Sequence, residues 1–133
     1  MKRRRKSPFR VPTKVEIRYS PGKGRGVFAT KTIRRGEVIE AAPSLLVPAS
    51  DTKRIENSFL KHYIFQTDSG YDYVVATGYV AIANHDDHNN AEFHVSREVS
   101  TIKAVRTIRP GEEVTVDYGW NENEWPQAVR KKS

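Results

Sequence analysis

The chain has no cysteine. That excludes disulfides and any zinc site built on thiolates. Its apolar stretches are short, as at Leu45-Leu46-Val47, and none approaches the roughly 20 residues that a membrane span needs. The basic start Lys2-Arg3-Arg4-Arg5-Lys6 is followed by no apolar region, so it does not read as a signal peptide. No internal repeat stands out at a useful period. What remains is 133 residues, 37% of them hydrophobic, enough for one small domain that buries a core without staples.

The formal net charge is +7, from 23 Lys+Arg against 16 Asp+Glu. The excess sits at the ends. Residues 1–10 carry six basic side chains, and Arg130, Lys131 and Lys132 add three. The remaining 14 cations face 16 acids, so residues 11–127 carry −2. Basic ends attract phosphates in a sequence-independent way, or they serve as solvated tails. The organisation expected is a flexible basic arm over 1–12, a domain over 13–125 and a basic tail over 126–133.

Within the domain, Val15 to Tyr19 alternates apolar and polar, the period of a half-buried strand. Residues 20–26 form a glycine-rich turn, with a strand expected at Val27–Ala29. Further strands are expected at Val38–Glu40, between Pro43 and Pro48, and near 73–76, 93–95, 101–105 and 114–118. One short helix is expected near 50–63, capped by Ser50 or Asp51, with Ile55, Phe59, Leu60 and Tyr63 on one face. The segment Tyr79–Ile82 reads as extended or briefly helical. The fold class is mainly β.

Three segments carry chemistry. Gly22-Lys23-Gly24-Arg25-Gly26 lets a backbone approach a ligand closely. It lacks the spacing of a dinucleotide fingerprint and the Gly-Lys-Ser/Thr ending of a P-loop. Asn84-His85-Asp86-Asp87-His88-Asn89-Asn90 is polar directly after an apolar stretch, and buried Asn and His side chains need partners. It reads either as a solvated loop or as metal ligands from His85, Asp86 and His88. Tyr118, near the end of a strand and followed by glycine, is either packing or a functional hydroxyl.

Taken together, in this order and at these separations, the segments resemble the SET-domain family. Gly22 to Ala29, Gly78-Tyr79 through Asn84-His85 to Asn90-Ala91, and Gly111-Glu112-Glu113 through Asp117-Tyr118-Gly119 carry the likeness, aided by Ile33 to Ile39. The compact length is similar to small viral and bacterial members. The sequence departs at Asp86, where the family often has Ser or Cys, and at Asn89, where it often has Pro. The resemblance implies small curved sheets around a C-terminal pseudoknot, and a protein-lysine methyltransferase that uses S-adenosylmethionine and no metal. Lys23, Gly24, Arg25, Asn84, His85 and Tyr118 are then cofactor contacts, with Trp125 (or Trp120) covering the cofactor. Tyr118 is the catalytic tyrosine, and Tyr79, Phe93 and Val116 line the lysine channel. Asn90 and Glu112 are implied to serve the fold.

The implied partner is a protein with a target lysine in a Lys/Arg-rich tail, histone or histone-like, attracted by acids such as Glu40, Asp68 and Asp72. Phe93, eight residues after His85, favours di- or trimethylation. The resemblance also allows a homodimer. Nucleic-acid contact through the basic termini, automethylation of the arm and an intracellular location, nuclear in a eukaryotic host, complete the expectations. The alternative reading is a non-catalytic SET-fold module that binds protein or nucleic acid.

Overall fold

The structure is a computed structural model and describes residues 6–118. Two sheets carry the chain. In the first, β1 (Val15–Ser20) and β2 (Gly24–Ala29) form a hairpin, and β2 pairs with β9 (Glu113–Val116), which in turn runs parallel to the two-residue β6 (Asn84–His85). In the second, the order is β4 (Ile64–Gln66), β5 (Tyr73–Ala76), β3 (Val38–Leu46), β8 (Val99–Ala104), β7 (Ala91–Val95). Gly22 and Gly24 turn the first hairpin at φ values of 74° and 76°, which glycine adopts at little cost. The β1–β2 ladder extends to the Ser20–Gly24 pair, so β2 starts three residues before the expected Val27.

The two extended pieces expected at 38–40 and 43–48 are one strand. It pairs with β8 up to Pro43 and with β5 from Ser44. Proline has no N–H for the ladder, and it stands where the strand changes partner. The helix expected near 50–63 is divided. Its first part, α1 (Ala49–Glu56), has Pro48 at its N-cap, with no side-chain cap, so neither Ser50 nor Asp51 holds that role. A separate 3-10 turn (Phe59–His62) follows, and its N-cap Ser58 accepts from Leu60 N–H. The short polar hydroxyl of Ser58 satisfies the new turn's free donor, which competes with continued helix. α1 buries no residue. Among the described residues, no helix is long and apolar enough to cross a membrane.

The core is built from small and β-branched side chains. Val27, Ile33, Ile102, Ile108, Val114 and Val116 are fully enclosed, with alanines such as Ala83, Ala91 and Ala104 between them. Each enclosed Val or Ile contributes about 1.5–3 kcal/mol. The larger Phe65, Phe93, Tyr79 and Tyr118 pack around its edge.

Two stretches repeat. Thr32-Ile33-Arg34-Arg35-Gly36-Glu37 and Thr107-Ile108-Arg109-Pro110-Gly111-Glu112 share five of six residues. They meet through an antiparallel bridge in which Ile33 and Ile108 each donate to the other's carbonyl at 2.8 Å. The same relation extends outward, with Gly36 N–H on Ala104 O and Gly111 N–H on Ala29 O, both 2.8 Å. Each copy is only six residues long and the two stand 75 residues apart, outside the periods that mark a repeat architecture in a sequence.

Glu40 was expected to face a substrate. It is buried instead, accepting Val80 N–H at 2.9 Å and Tyr79 N–H at 3.2 Å, so it holds the start of the 3-10 turn Gly78–Ala81. Burial pushes its carboxyl pKa up, opposed by those two backbone N–H groups. Gly78, at φ 71°, leaves space for it, and a Cβ there would lie 2.5 Å from Glu40 Oε2. Gly70 has a similar φ of 82° but open space around it. Gly78→Ala is therefore expected to cost about 2 kcal/mol more than Gly70→Ala, read as the difference in unfolding free energy by urea denaturation.

Candidate active site

The expected site segments converge on β9. Its short run is paired on one edge by β2 and on the other by β6. Asn90 completes the second edge. Its Nδ2 donates to Glu113 O at 2.7 Å and its Oδ1 accepts Thr115 N–H at 2.9 Å. The side chain thus stands in for a strand residue, because a buried backbone group without a partner costs about 1–3 kcal/mol. Asn90 is itself buried, and these bonds serve the fold.

Asn84 is buried, and its Nδ2 donates to Arg25 O at 2.9 Å and to Glu113 Oε2 at 2.7 Å. Its Oδ1 is drawn into neither bond. The other carboxylate oxygen of Glu113 accepts the Ser20 hydroxyl at 2.7 Å. One carboxylate therefore ties both ends of the glycine turn to the Asn84 segment. The sequence reading gave the fold role to Glu112, whose carboxylate lies 3.5 Å from Arg106 on the surface; the carboxylate bound inside the fold is that of Glu113. The signal was the neighbouring small residue. Gly26 is buried, and a Cβ on it would lie 2.5 Å from Glu113 Oε2 and 3.0 Å from Asn84 Nδ2.

Lys23 Nζ reaches His85 O at 3.5 Å. Gly24 and Arg25 are exposed beside it, with no heavy atom within 4 Å of the position a Gly24 Cβ would take. The exposed Gly24–Arg25 backbone and the Lys23 ammonium thus lie beside the buried Asn84 and the largely enclosed His85 ring.

Tyr118 is fixed at both ends. Its backbone N–H donates to His85 Nδ1 at 3.0 Å, and its hydroxyl donates to Ala83 O at 2.7 Å. Because Nδ1 accepts, the neutral ring carries its proton on Nε2, which bonds Asp87 Oδ1 at 2.9 Å. Both imidazole nitrogens are thereby engaged within the protein. The His88 side chain is 97% exposed, and its ring comes no nearer than 3.9 Å to Asp86, which instead accepts the His88 backbone N–H at 2.8 Å; among the described residues no three His, Asp or Glu side chains gather as metal ligands. Burial first, then the charge of Glu113 and the nearby Tyr63, push the Tyr118 phenol up to about 12.

Tyr118 closes a cleft of about 300 Å³ walled by Ile64, Phe65, Phe93 and Val95, with Gln66 and Asp68 among its polar lining. The Phe93 ring lies parallel to that of Tyr118, 6.2 Å between centroids, and Phe65 meets Phe93 edge-on at 5.2 Å. Val116 and Tyr79 are not among the residues lining this cleft. Val116 is fully enclosed in the core, where the alternation along β9 directs it with Val114. Tyr79 packs against the core from the 3-10 turn at Gly78. Asp68 keeps 63% of its side chain exposed while meeting His94 Nδ1 at 3.6 Å and accepting Val95 N–H at 3.3 Å, and Asp72 is paired with Arg97 at 3.5 Å. Trp120 and Trp125 lie outside the described residues.

A family profile described as "SET domain" matches residues 24–119. The chain is 30% identical over 131 residues to a Schizosaccharomyces pombe "Histone-lysine N-methyltransferase, H3 lysine-37 specific", covering 92% of this chain and 88% of that protein. It is 32% identical over 120 residues to the Xenopus laevis "N-lysine methyltransferase KMT5A-A", covering 79% of this chain but 36% of that one. A crystal structure of a candidate histone methyltransferase of Plasmodium falciparum shares the fold with a TM-score of 0.69 at 24% identity, over 86% of this chain and 100% of that chain. None of these three is viral or bacterial, the groups to which the small size pointed.

Gly26→Ala is expected to push Glu113 away from Asn84 and to lower stability by about 1–3 kcal/mol. Gly24→Ala, with open space but a positive φ, is expected to cost about 1–2 kcal/mol and to leave the Asn84 amide signals in an NMR spectrum unmoved. Gly26→Ala is expected to shift them.

Proposed function

The chain belongs to the SET-domain family, and from that premise we propose that it transfers a methyl group from S-adenosylmethionine to the side-chain amine of a lysine in a protein substrate. The observation that carries this reading is the Tyr118 phenol, held at both ends against Ala83–His85 at the wall of an aromatic cleft. Intracellular action on a basic protein tail follows from the same reading and accords with the histone named in the S. pombe relative.

The residues present fit the cofactor. Lys23 offers a cation for a carboxylate, the Asn84 Oδ1 an acceptor for an ammonium, and the open Gly24 turn a backbone that a large ligand can approach. S-adenosylmethionine, when bound, supplies an electrophilic methyl on a sulfonium.

The target lysine has an ordinary pKa of about 10.4 and must arrive neutral. Ile64, Phe65, Phe93 and Val95 give the cleft apolar walls, and removal of water disfavours the ammonium form. Asp68 at the cleft attracts basic residues beside the target. Tyr118, pushed up to about 12, keeps its proton near neutral pH and so is no general base. Its hydroxyl hydrogen is committed to Ala83 O, which leaves the oxygen lone pairs to accept from the amine and to stabilise charge at the transferring methyl. A neutral amine held there would take the methyl in line as the sulfonium leaves as a neutral thioether, and the methylated ammonium would then lose one of its two nitrogen protons to solvent. Phe93, over Tyr118 and without a hydroxyl, leaves room for methyl groups on the amine and supports di- or trimethylation.

Labelled S-adenosylmethionine incubated with the protein and a lysine-rich protein mixture is expected to label protein lysines. Tyr118→Phe is expected to lower the rate by about 100-fold or more, with cofactor affinity by calorimetry changed less than about threefold. Full activity in that variant overturns the assignment. The transfer rate is expected to rise with pH toward the lysine pKa of about 10.4, with no break from Tyr118 below about 12.

A further inference from the structure

The paired turns at 31–37 and 106–112 concentrate positive charge. Lys31, Arg34, Arg35, Arg106 and Arg109 are all exposed, and the Ile33–Ile108 bridge holds the two turns together while burying both isoleucines. The acids on these turns are Glu37, bound by Lys14 at 2.9 Å, and Glu112, facing Arg106 at 3.5 Å. Among the described residues, Lys31, Arg34, Arg35 and Arg109 form no ion pair. Residues 11–127 carry −2 overall, so these cations are segregated from the acids rather than in excess of them. Asp68, Asp86, Asp87 and Glu92 belong to the cleft or to its neighbouring loop and strand.

The basic arm leads to this same face. Arg10 pairs with Ala41 and, with Lys14, Ile33 and Glu37, lines a groove of about 160 Å³. The chain before it holds Lys2, Arg3, Arg4, Arg5 and Lys6. The face lies at one end of the β2–β9 ladder, where Ala29 N–H meets Glu112 O. Tyr118 lies at the other, six residues or about 20 Å along an extended chain.

We propose that this face binds the phosphate backbone of double-stranded nucleic acid, separately from the methyl-transfer cleft. Arginines suit phosphate through paired N–H donors, and the exposed hydroxyls of Thr32 and Thr107 add neutral donors of the kind that position a duplex. The turns themselves expose no large apolar side chain, and the exposed Phe9 and Val11 lie beside them on the arm, so the centre of the patch offers charge rather than an apolar anchor for a protein partner.

The test is fluorescence anisotropy of a labelled 20-base-pair DNA duplex with the full chain across a salt series. Binding is expected to weaken with salt with a log–log slope of about −3 to −5, as for four or five phosphate contacts. Arg34→Glu/Arg35→Glu/Arg109→Glu is expected to lower affinity at least tenfold and flatten the slope, with an unchanged thermal midpoint and unchanged methyl transfer to a free peptide. A second full-length variant replaces Lys2, Arg3, Arg4 and Arg5 by alanine. The proposal is overturned if wild type does not bind duplex at low salt. It is also overturned if the arm variant alone loses binding while the turn variant keeps it. Equal affinity for a polyglutamate of matched length assigns the face to acidic proteins instead.

Discussion

Strand β9 is four residues long and enclosed, and its backbone must be satisfied from both edges. β2 serves one edge, but only at Val27–Val114 and Phe28–Glu113. The other edge is shared by two residues of β6 and by the side chain of Asn90. An unpaired polar group in this place would cost more than most single contacts contribute. The polar run from Asn84 to Asn90 is therefore bound to β9 by need, and the residues that follow β9 are delivered beside it. Tyr118 owes its place to that arrangement, since its two bonds reach Ala83 and His85.

The same economy explains the division of side chains. A core of valine, isoleucine and alanine lets strands approach closely, and leaves the bulky rings of Phe65, Phe93 and Tyr118 at its margin. Aromatic packing there is specific in geometry, and it makes an apolar wall at the surface instead of deep in the core. Glu113 binds the remaining piece, the glycine turn, through Ser20 and Asn84, and Gly26 is the residue whose missing side chain admits it.

The β2–β9 ladder has unlike ends. At one, a lysine, an asparagine and a tyrosine gather around an open turn. At the other, two copies of one turn pattern are pinned through Ile33 and Ile108, and their charged residues point outward. The isoleucines explain the repeat in physical terms: each turn needs an apolar residue to bury and a glycine to change direction, and the positions between are left free for charge.

The sequence by itself determined the mainly β class, the hairpin around Gly22–Gly24 and most strands, because alternation and glycine are local signals. The joint order of the Gly-rich, Asn-His and Tyr-Gly segments also carried the family likeness. Only the tertiary structure decided that Glu40 is buried as a turn partner, that Val116 is core, and that Glu113 rather than Glu112 holds Asn84. These outcomes turn on parity and on distant neighbours. Adjacent residues on a strand face opposite ways, and a carboxylate's role depends on whether a backbone 40 residues away presents its N–H groups. The divided helix at 49–62 has the same cause, since the apolar spacing persists while Ser58 supplies a competing local bond. At Asn84-His85 and Tyr118 the sequence supplied the residues, and β9 supplied the meeting place.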